Sequence, residues 1–181
     1  MPKNENTIVF KNVRLSYPHL FTPHAFEGAE PKYQTTVLLD KDKDAEQIAR
    51  VKKLIASKLT ELKVKKLPDD KICLKDGAEK PDVDGYGEGV MFISAKSKKR
   101  IPVVGKDSST PITEEDNIIY GGCYCDVSMD IWAQNNKFGK RINAGLRAVR
   151  FRKDGDPFGA APADPEDEFG EPIEDDEDNM M

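Results

Sequence analysis

Two stretches in the second half of the chain, Cys125 to Ala133 and Ile142 to Ala148, alternate apolar and polar residues with only a short polar spacer between them. Cys125, Val127, Met129, Ile131 and Ala133 fall on one face of the first, and Ile142, Ala144, Leu146 and Ala148 on one face of the second. A period of two belongs to half-buried strands, and two such runs this close together read as an antiparallel hairpin. A four-residue turn, Asn136, Lys137, Phe138 and Gly139, opposes Asn135 to Lys140. It also pairs Ile131 with Ala144, Met129 with Leu146 and Val127 with Ala148. A three-residue turn would set Met129 against Arg147 and Ile131 against Gly145, mixing the two faces, so the four-residue turn is the predicted one. The opposite face then presents Tyr124, Ser128, Asp130 and Trp132 beside Arg141, Asn143 and Arg147.

The same period recurs in Ile8, Phe10, Val13 and Leu15, with a register slip after Phe10, and Tyr33 to Leu39 and Val90 to Ala95 add further strands, the latter followed by the basic cluster Lys96, Lys98, Lys99 and Arg100 and then Ile101 to Val104. Pro18, Pro23, Pro31 and Gly28 make Tyr17 to Lys32 a long loop by prediction. From Asp44 the period changes: Ile48, Val51, Leu54, Ile55, Leu59 and Leu62 lay one apolar stripe along a helix. Asp44 is its expected N-cap, with Gln47 answering the Asp44 backbone as in a capping box, and Pro68 lies beyond its end. Arg50, Lys52, Lys53, Lys58, Lys63, Lys65 and Lys66 form its other face, read as solvated ahead of the alternative, a DNA-contacting face. Residues 69–89, rich in Asp, Lys and Gly, read as a mobile connection.

The division of charge bounds the partners. After Lys153 no Lys or Arg occurs, while twelve Asp and Glu residues do, so the whole-chain charge of −5 splits into −12 beyond Lys153 and +7 before it. A basic domain joined to an acidic strand points to nucleic acid as one partner. At 181 residues, 34% of them charged, the chain suits one domain plus an appendage: a flexible N-terminus over 1–6, a folded domain over 7–153 and a disordered acidic tail over 154–181. The tail repeats one short pattern, Asp156-Pro157-Phe158-Gly159 and Asp167-Glu168-Phe169-Gly170. No apolar run suits a membrane span or a secretory signal, and three cysteines do not make a disulfide framework, so a reducing cytoplasm is expected.

Single-stranded nucleic acid is held by cations along its backbone and by aromatic faces on which bases stack. Candidates for both are Lys32, Tyr33, Lys96, Lys98, Lys99, Arg100, Tyr124, Trp132, Lys137, Phe138, Lys140, Arg141 and Arg147. Catalytic chemistry has little to build on. Cys123 and Cys125 are spaced by one residue, unlike a zinc knuckle. The run Gly85, Gly87 and Gly89 precedes a strand instead of opening a helix. The two histidines, His19 and His24, lie in the Pro-rich segment. No catalytic residue, metal site or cofactor is assigned.

Val13-Arg14-Leu15-Ser16-Tyr17-Pro18, Pro31-Lys32-Tyr33, Arg100-Ile101-Pro102-Val103-Val104, Tyr120-Gly121-Gly122 and Gly139 to Leu146 together resemble a phage single-stranded DNA-binding protein family, typified by that of phage Enc34 and similar to the T7 type. The resemblance spans residues 7 to 153. It implies a mainly β OB-fold, a partly open five-stranded barrel with one helix and an acidic C-terminal tail. It also implies a non-enzymatic protein of the bacterial host cytoplasm that coats single-stranded DNA during replication, recombination or repair. In OB-folds the ligand crosses strands 2 and 3 between two flanking loops, which would be Tyr17 to Lys32 and Asn136 to Gly139 here. The tail is expected to compete with DNA for the basic groove and to recruit replication or recombination enzymes. Its docking residues would be Phe158, Phe169, Glu174, Asp175, Asp176, Glu177 and Asp178. Better-known tails of this class end in an aromatic residue, whereas this one ends Asn179-Met180-Met181. Homodimerisation stays open, and the competing reading is a phage assembly adaptor that binds acidic proteins.

Overall fold

The alternating segments form strands because each buries one face. In the computed structural model, which describes residues 2–25, 28–158 and 165–173, the hairpin of β6 (Tyr124–Asn136) and β7 (Gly139–Lys153) is the longest antiparallel pair. Asn135 opposes Lys140, Ile131 opposes Ala144 and Met129 opposes Leu146, as the alternation requires. The turn itself is tighter than expected, because Asn136 also pairs with Gly139 and leaves only Lys137 and Phe138 at the tip. Gly139 takes φ +103° there, a conformation open to glycine.

Further along, the expected pairing of Val127 with Ala148 does not form; Val127 opposes Val149 across a bulge after Ser128. Without that slip, β7 would bury Arg150 and Arg152 and expose Val149 and Phe151. The bulge moves the buried phase from Leu146 to Val149, and Arg150 and Arg152 turn outward onto Asp126. Burial opposes ionisation of Asp126, but hydrogen bonds from Arg152, the Asn12 amide and Arg150 outweigh it, and the carboxyl titrates below its usual range.

Strand β1 (Thr7–His24) pairs with β6 and with β2 (Lys32–Asp40). The slip expected after Phe10 is a bulge between Phe10 and Val13. The predicted loop from Tyr17 is strand as far as His24, which opposes Lys32. Irregular pairing after Ser16 and again after His19 accommodates Pro18 and Pro23 on a strand margin. Strand β2 pairs in register with β4 (Val90–Ser97).

A single parallel pair, Lys96 with Gly145, joins β4 to β7 and closes a five-stranded barrel in the order β1, β2, β4, β7, β6. Around that closure the edges of β4 and β7 diverge. Residues 72–76, expected to be a mobile connection, fill the gap: β3 (Leu74–Asp76) pairs with β4, and Ile72 bridges to Ile142. A two-residue strand, β5 (Val103–Val104), lies along β7. The barrel interior holds Phe10, Leu15, Val37, Leu39, Ile93, Met129 and Ile131, each at most 2% exposed.

Helix α1 (Ala45–Glu61) lays Ile48, Val51 and Ile55 on the barrel. Asp44 precedes it, but its carboxylate accepts from the Asp40 amide and from Gln47 Nε2, so no capping box forms. Gln47 instead ties the helix to β1 by accepting from the Lys11 amide and donating to the Lys11 carbonyl. Lys58, expected in the solvated face, is buried, its ammonium held by Asn6 Oδ1 and Glu61.

Candidate nucleic-acid interface

The imperfect closure of the barrel creates the site. On β4, Ile93 and Ala95 point into the core, so Phe92, Ser94 and Lys96 point outward; Lys32, Gln34 and Thr36 do the same on β2. Across the seam, β6 and β7 contribute Trp132, Gln134, Arg141 and Asn143. A groove of about 830 Å³ runs between them, floored by Ile72, Cys73 and Ala144. Lys75 and Lys80 stand along its β3 side, with Glu79 the carboxylate between them.

Trp132 is 45% exposed in this groove. It opposes Asn143, and its indole nitrogen lies 3.9 Å from where a Cβ on Gly145 would stand, so the ring rests on a position without a side chain. Neighbouring polar groups are mutually held: Asn143 donates to Gln134 at 3.0 Å, and the Thr36 and Ser94 hydroxyls are 2.7 Å apart. Tyr86 meets Phe92 edge-on at 5.0 Å, and Lys80 Nζ lies 5.3 Å from the Phe92 ring centroid and 5.6 Å from that of Tyr86. An aromatic platform with cations on both flanks and amide groups between is suited to an unpaired strand of nucleotides.

Of the expected contact residues the fold brings five into this groove: Lys32, Lys96, Lys98, Trp132 and Arg141. Lys98 also faces Glu30 at 3.8 Å, and Arg141 donates to the Asp70 carbonyl at 2.9 Å. The others lie elsewhere. Tyr33 shares the inward phase of Thr35 and Val37. Lys99 lies in the exposed bend after β4, and Arg100 borders a separate cavity of about 430 Å³ with Leu20, Phe21 and Ile112. Lys137 and Phe138 occupy the hairpin tip, where Phe138 is 74% exposed and Lys137 Nζ lies 5.1 Å from its ring. Lys140 donates to the Leu62 carbonyl beyond α1, and Arg147 binds Thr7 Oγ1 at 2.8 Å beside Asp130. Tyr124 is ringed by Lys43, Lys153 and Arg14 away from the groove.

Gln34, Lys75, Lys80, Phe92, Ser94, Gln134 and Asn143 also line the groove and were not among the expected contacts. Strand parity was the available signal for Gln34 and Ser94. Lys75 and Lys80 had none, because their place depends on β3 entering the seam.

The expected disordered tail does not begin at Asp154. Tyr120 OH donates to the Gly155 carbonyl and accepts from the Gly155 amide, and the Phe158 amide donates to the Gly121 carbonyl at 3.0 Å. Arg14 donates from Nε to the Gly122 carbonyl and from Nη2 to the Asp156 carbonyl. Gly122, at φ +115°, admits this approach because a Cβ there would collide with the Asp156 carbonyl. Phe158 is thus packed on the domain, whereas Phe169, closing the short helix α2 (Pro165–Phe169), is 84% exposed. Glu174, Asp175, Asp176, Glu177 and Asp178 lie outside the described residues.

Cys123 and Cys125 are buried free thiols with sulfurs 3.8 Å apart, and burial pushes the Cys73 thiol up to about 12. Among the described residues no group of three or more His, Cys, Asp or Glu could hold a metal ion, and no helix is long and apolar enough to cross a membrane.

A five-stranded OB barrel with a cation-lined groove across its second and third barrel strands, and an exposed tryptophan beside it, defines a single-stranded nucleic-acid-binding module. Comparison with known proteins is more specific: the chain belongs to the family of the Enterobacter phage Enc34 ssDNA-binding protein, whose family model matches residues 6–181. The structure of the single-stranded DNA-binding protein from bacteriophage Enc34 in complex with ssDNA is 35% identical, with a TM-score of 0.75 over 88% of this chain and 97% of that one. Putative protein p50 of Acyrthosiphon pisum secondary endosymbiont phage 1 is 34% identical over 83% of this chain and 85% of its own length. The single-stranded DNA-binding protein gp2.5 of bacteriophage T7, at 15% identity and a TM-score of 0.53 over 93% of this chain and 99% of that one, shares the fold.

Proposed function

We propose that this protein coats single-stranded DNA with little sequence preference during phage replication, recombination or repair, and that it does so without catalysing a reaction. The observation that carries the reading is the groove over the β4–β7 seam, where Trp132 lies among Lys32, Lys75, Lys80, Lys96, Lys98 and Arg141. Phosphates running past these cations release counterions, and a base on Trp132 gains stacking that any base can supply. Sequence independence follows, since neither term reads a base edge. Membership of a family described by its ssDNA-binding protein and likeness to a structure solved with ssDNA support the same reading.

The acidic tail has two roles in this proposal: it competes with DNA for the groove, and it recruits replication or recombination enzymes. Phe169 is the aromatic residue suited to recruitment, because it is exposed while Phe158 is packed. The site of action is the host cytoplasm.

Titrating the full chain with oligo-dT and with duplex of equal length, following fluorescence of its one tryptophan, tests the reading. Quenching with single-strand preference, and a log-log salt slope of about −0.7 per neutralised phosphate, is the expected result. Absence of single-strand preference would overturn it and favour the adaptor.

A further inference from the structure

Phe158 lies outside the groove, yet it packs against the loop that carries one of the groove's walls. A Cβ on Gly85 would stand 2.5 Å from Cε1 and Cζ of the Phe158 ring, and Gly85 at φ +86° has the freedom to present its bare Cα there. The next residue, Tyr86, donates to Ser16 Oγ at 3.1 Å and meets Phe92 edge-on. Lys80, at the start of the same loop, holds its ammonium near both rings, and Lys80 and Phe92 line the groove. On its far side Phe158 is fixed by the Arg14 guanidinium, 4.1 Å from the ring centroid, and by its amide bond to Gly121. A continuous chain of contacts therefore runs from Arg14 through Phe158, Gly85 and Tyr86 to Lys80.

We infer that Phe158 is a positioning residue for DNA binding: clasped by Arg14, it braces residues 80–89 so that Tyr86 and Phe92 hold Lys80 along the path of the DNA backbone. The inference rests on the reading of the groove as the ssDNA site. It gives Phe158 a role within the chain instead of a role as bait for other proteins. Half-buried aromatic packing at Gly85 and Gly121 restricts a glycine-rich loop that would otherwise sample many conformations. A lysine on a restrained loop loses less freedom when it meets a phosphate.

The test is a double-mutant cycle in the full chain, read as oligo-dT affinity against salt. Lys80→Gln should shallow the log-log salt slope by about 0.7 and weaken binding about fivefold at 0.1 M salt, the effect of one lost phosphate contact. Phe158→Ala should produce the same two changes although it removes no charge, and the double variant should be no worse than either single one. Phe158→Leu, which keeps an apolar side chain in the socket but loses the ring that Arg14 clasps, should restore both slope and affinity in part. Amide exchange supplies a readout on unaltered protein: oligo-dT should slow exchange at Gly85, Tyr86 and Phe158 together, by reciprocal coupling.

An unchanged salt slope in Phe158→Ala, or losses that add to those of Lys80→Gln, would overturn the inference while leaving ssDNA binding standing. If Phe158→Ala unfolds, exchange in the unaltered chain decides, and DNA-independent exchange at Gly85 and Phe158 would overturn it. Failure of the unaltered protein to bind oligo-dT is the separate result that removes the groove reading itself.

Discussion

Arg14 holds its guanidinium 4.1 Å from the centroid of the Phe158 ring, joining β1 to the segment that follows β7. Cation–π attraction of this kind contributes on the order of 1 kcal/mol, and the hydrogen bonds from Arg14 to the Gly122 and Asp156 carbonyls add to it. The folded body therefore extends to Phe158, and the place at which the chain is shortened matters. A chain ending at Phe158 should keep its thermal midpoint and bind oligo-dT more tightly, since most of the acidic competitor is gone. A chain ending at Lys153 should lose about 1 to 2 kcal/mol, a midpoint drop of roughly 3 to 6 °C. Calorimetry and titration of the two chains check this, and equal affinity of the Phe158-terminated and full chains would remove the competition idea.

Stacking and charge separate by substitution within the groove. Trp132→Ala should cost about 1 to 3 kcal/mol of binding per stacked base with little change in salt slope. Lys96→Gln should shallow the slope by about 0.7 with a smaller loss of affinity in high salt. Titration at several salt concentrations reads both. A Trp132→Ala protein with unaltered affinity would move the stacking platform elsewhere along the groove.

Asp126 is 5% exposed and accepts from both Arg150 and Arg152. Because its folded carboxyl titrates below the unfolded value of 3.8, the stability it contributes is complete above that pH and is lost as the pH falls through the lower folded value. Asp126→Asn should destabilise the protein at neutral pH by about 2 kcal/mol, a figure discounted because both arginines are partly exposed. It should also flatten the acid limb of stability below pH 3.8, as denaturant titrations into that range would record.

His19 and His24 stack face to face on β1, their centroids 4.1 Å apart and their planes within 8°. Burial, and next the charge of His24, lower the His19 pKa below 6.5. The neutral ring is thus the one the fold favours, and its contribution to stability is present above 6.5 and lost as the pH falls from there through the lower folded value. Acidification from pH 7.5 to 5 should lower the protection factors of amides around the His19–Gln34 and His24–Lys32 pairs, taken against intrinsic exchange at each pH, before the barrel core responds. His24→Gln should move His19 back toward its ordinary value in an NMR titration, and a His19 that already titrates ordinarily would sink the prediction.

Alternation read along one strand at a time predicted Ile131 opposite Ala144 and Met129 opposite Leu146, because the period of two follows from local backbone geometry. It failed at Ala148, where burying Val149 and Phe151 outweighed a regular ladder. Val149 and Phe151 were visible as an apolar pair of the other parity, yet nothing local weighs a bulge against a continued phase. Asp44 likewise had the composition of a cap, but Gln47 was drawn to the Lys11 backbone on a neighbouring strand.

What the sequence determined by itself was the mainly β class, the single amphipathic helix, the basic domain with its acidic extension, and the small set of aromatic and cationic residues from which a groove could be built. Each depends on composition or on neighbours within a few positions. Tertiary structure alone decided which of those residues meet. Lys32, Lys96, Trp132 and Arg141 share a groove because β4 and β7 join at one pair and then diverge. Lys75 and Lys80 enter it because β3 fills that seam, and Phe158 leaves the tail because Gly85, Gly121 and Arg14 converge on one socket. These are contacts between residues far apart in the chain, and their energies come from barrel closure, in which no single segment contains its own partner.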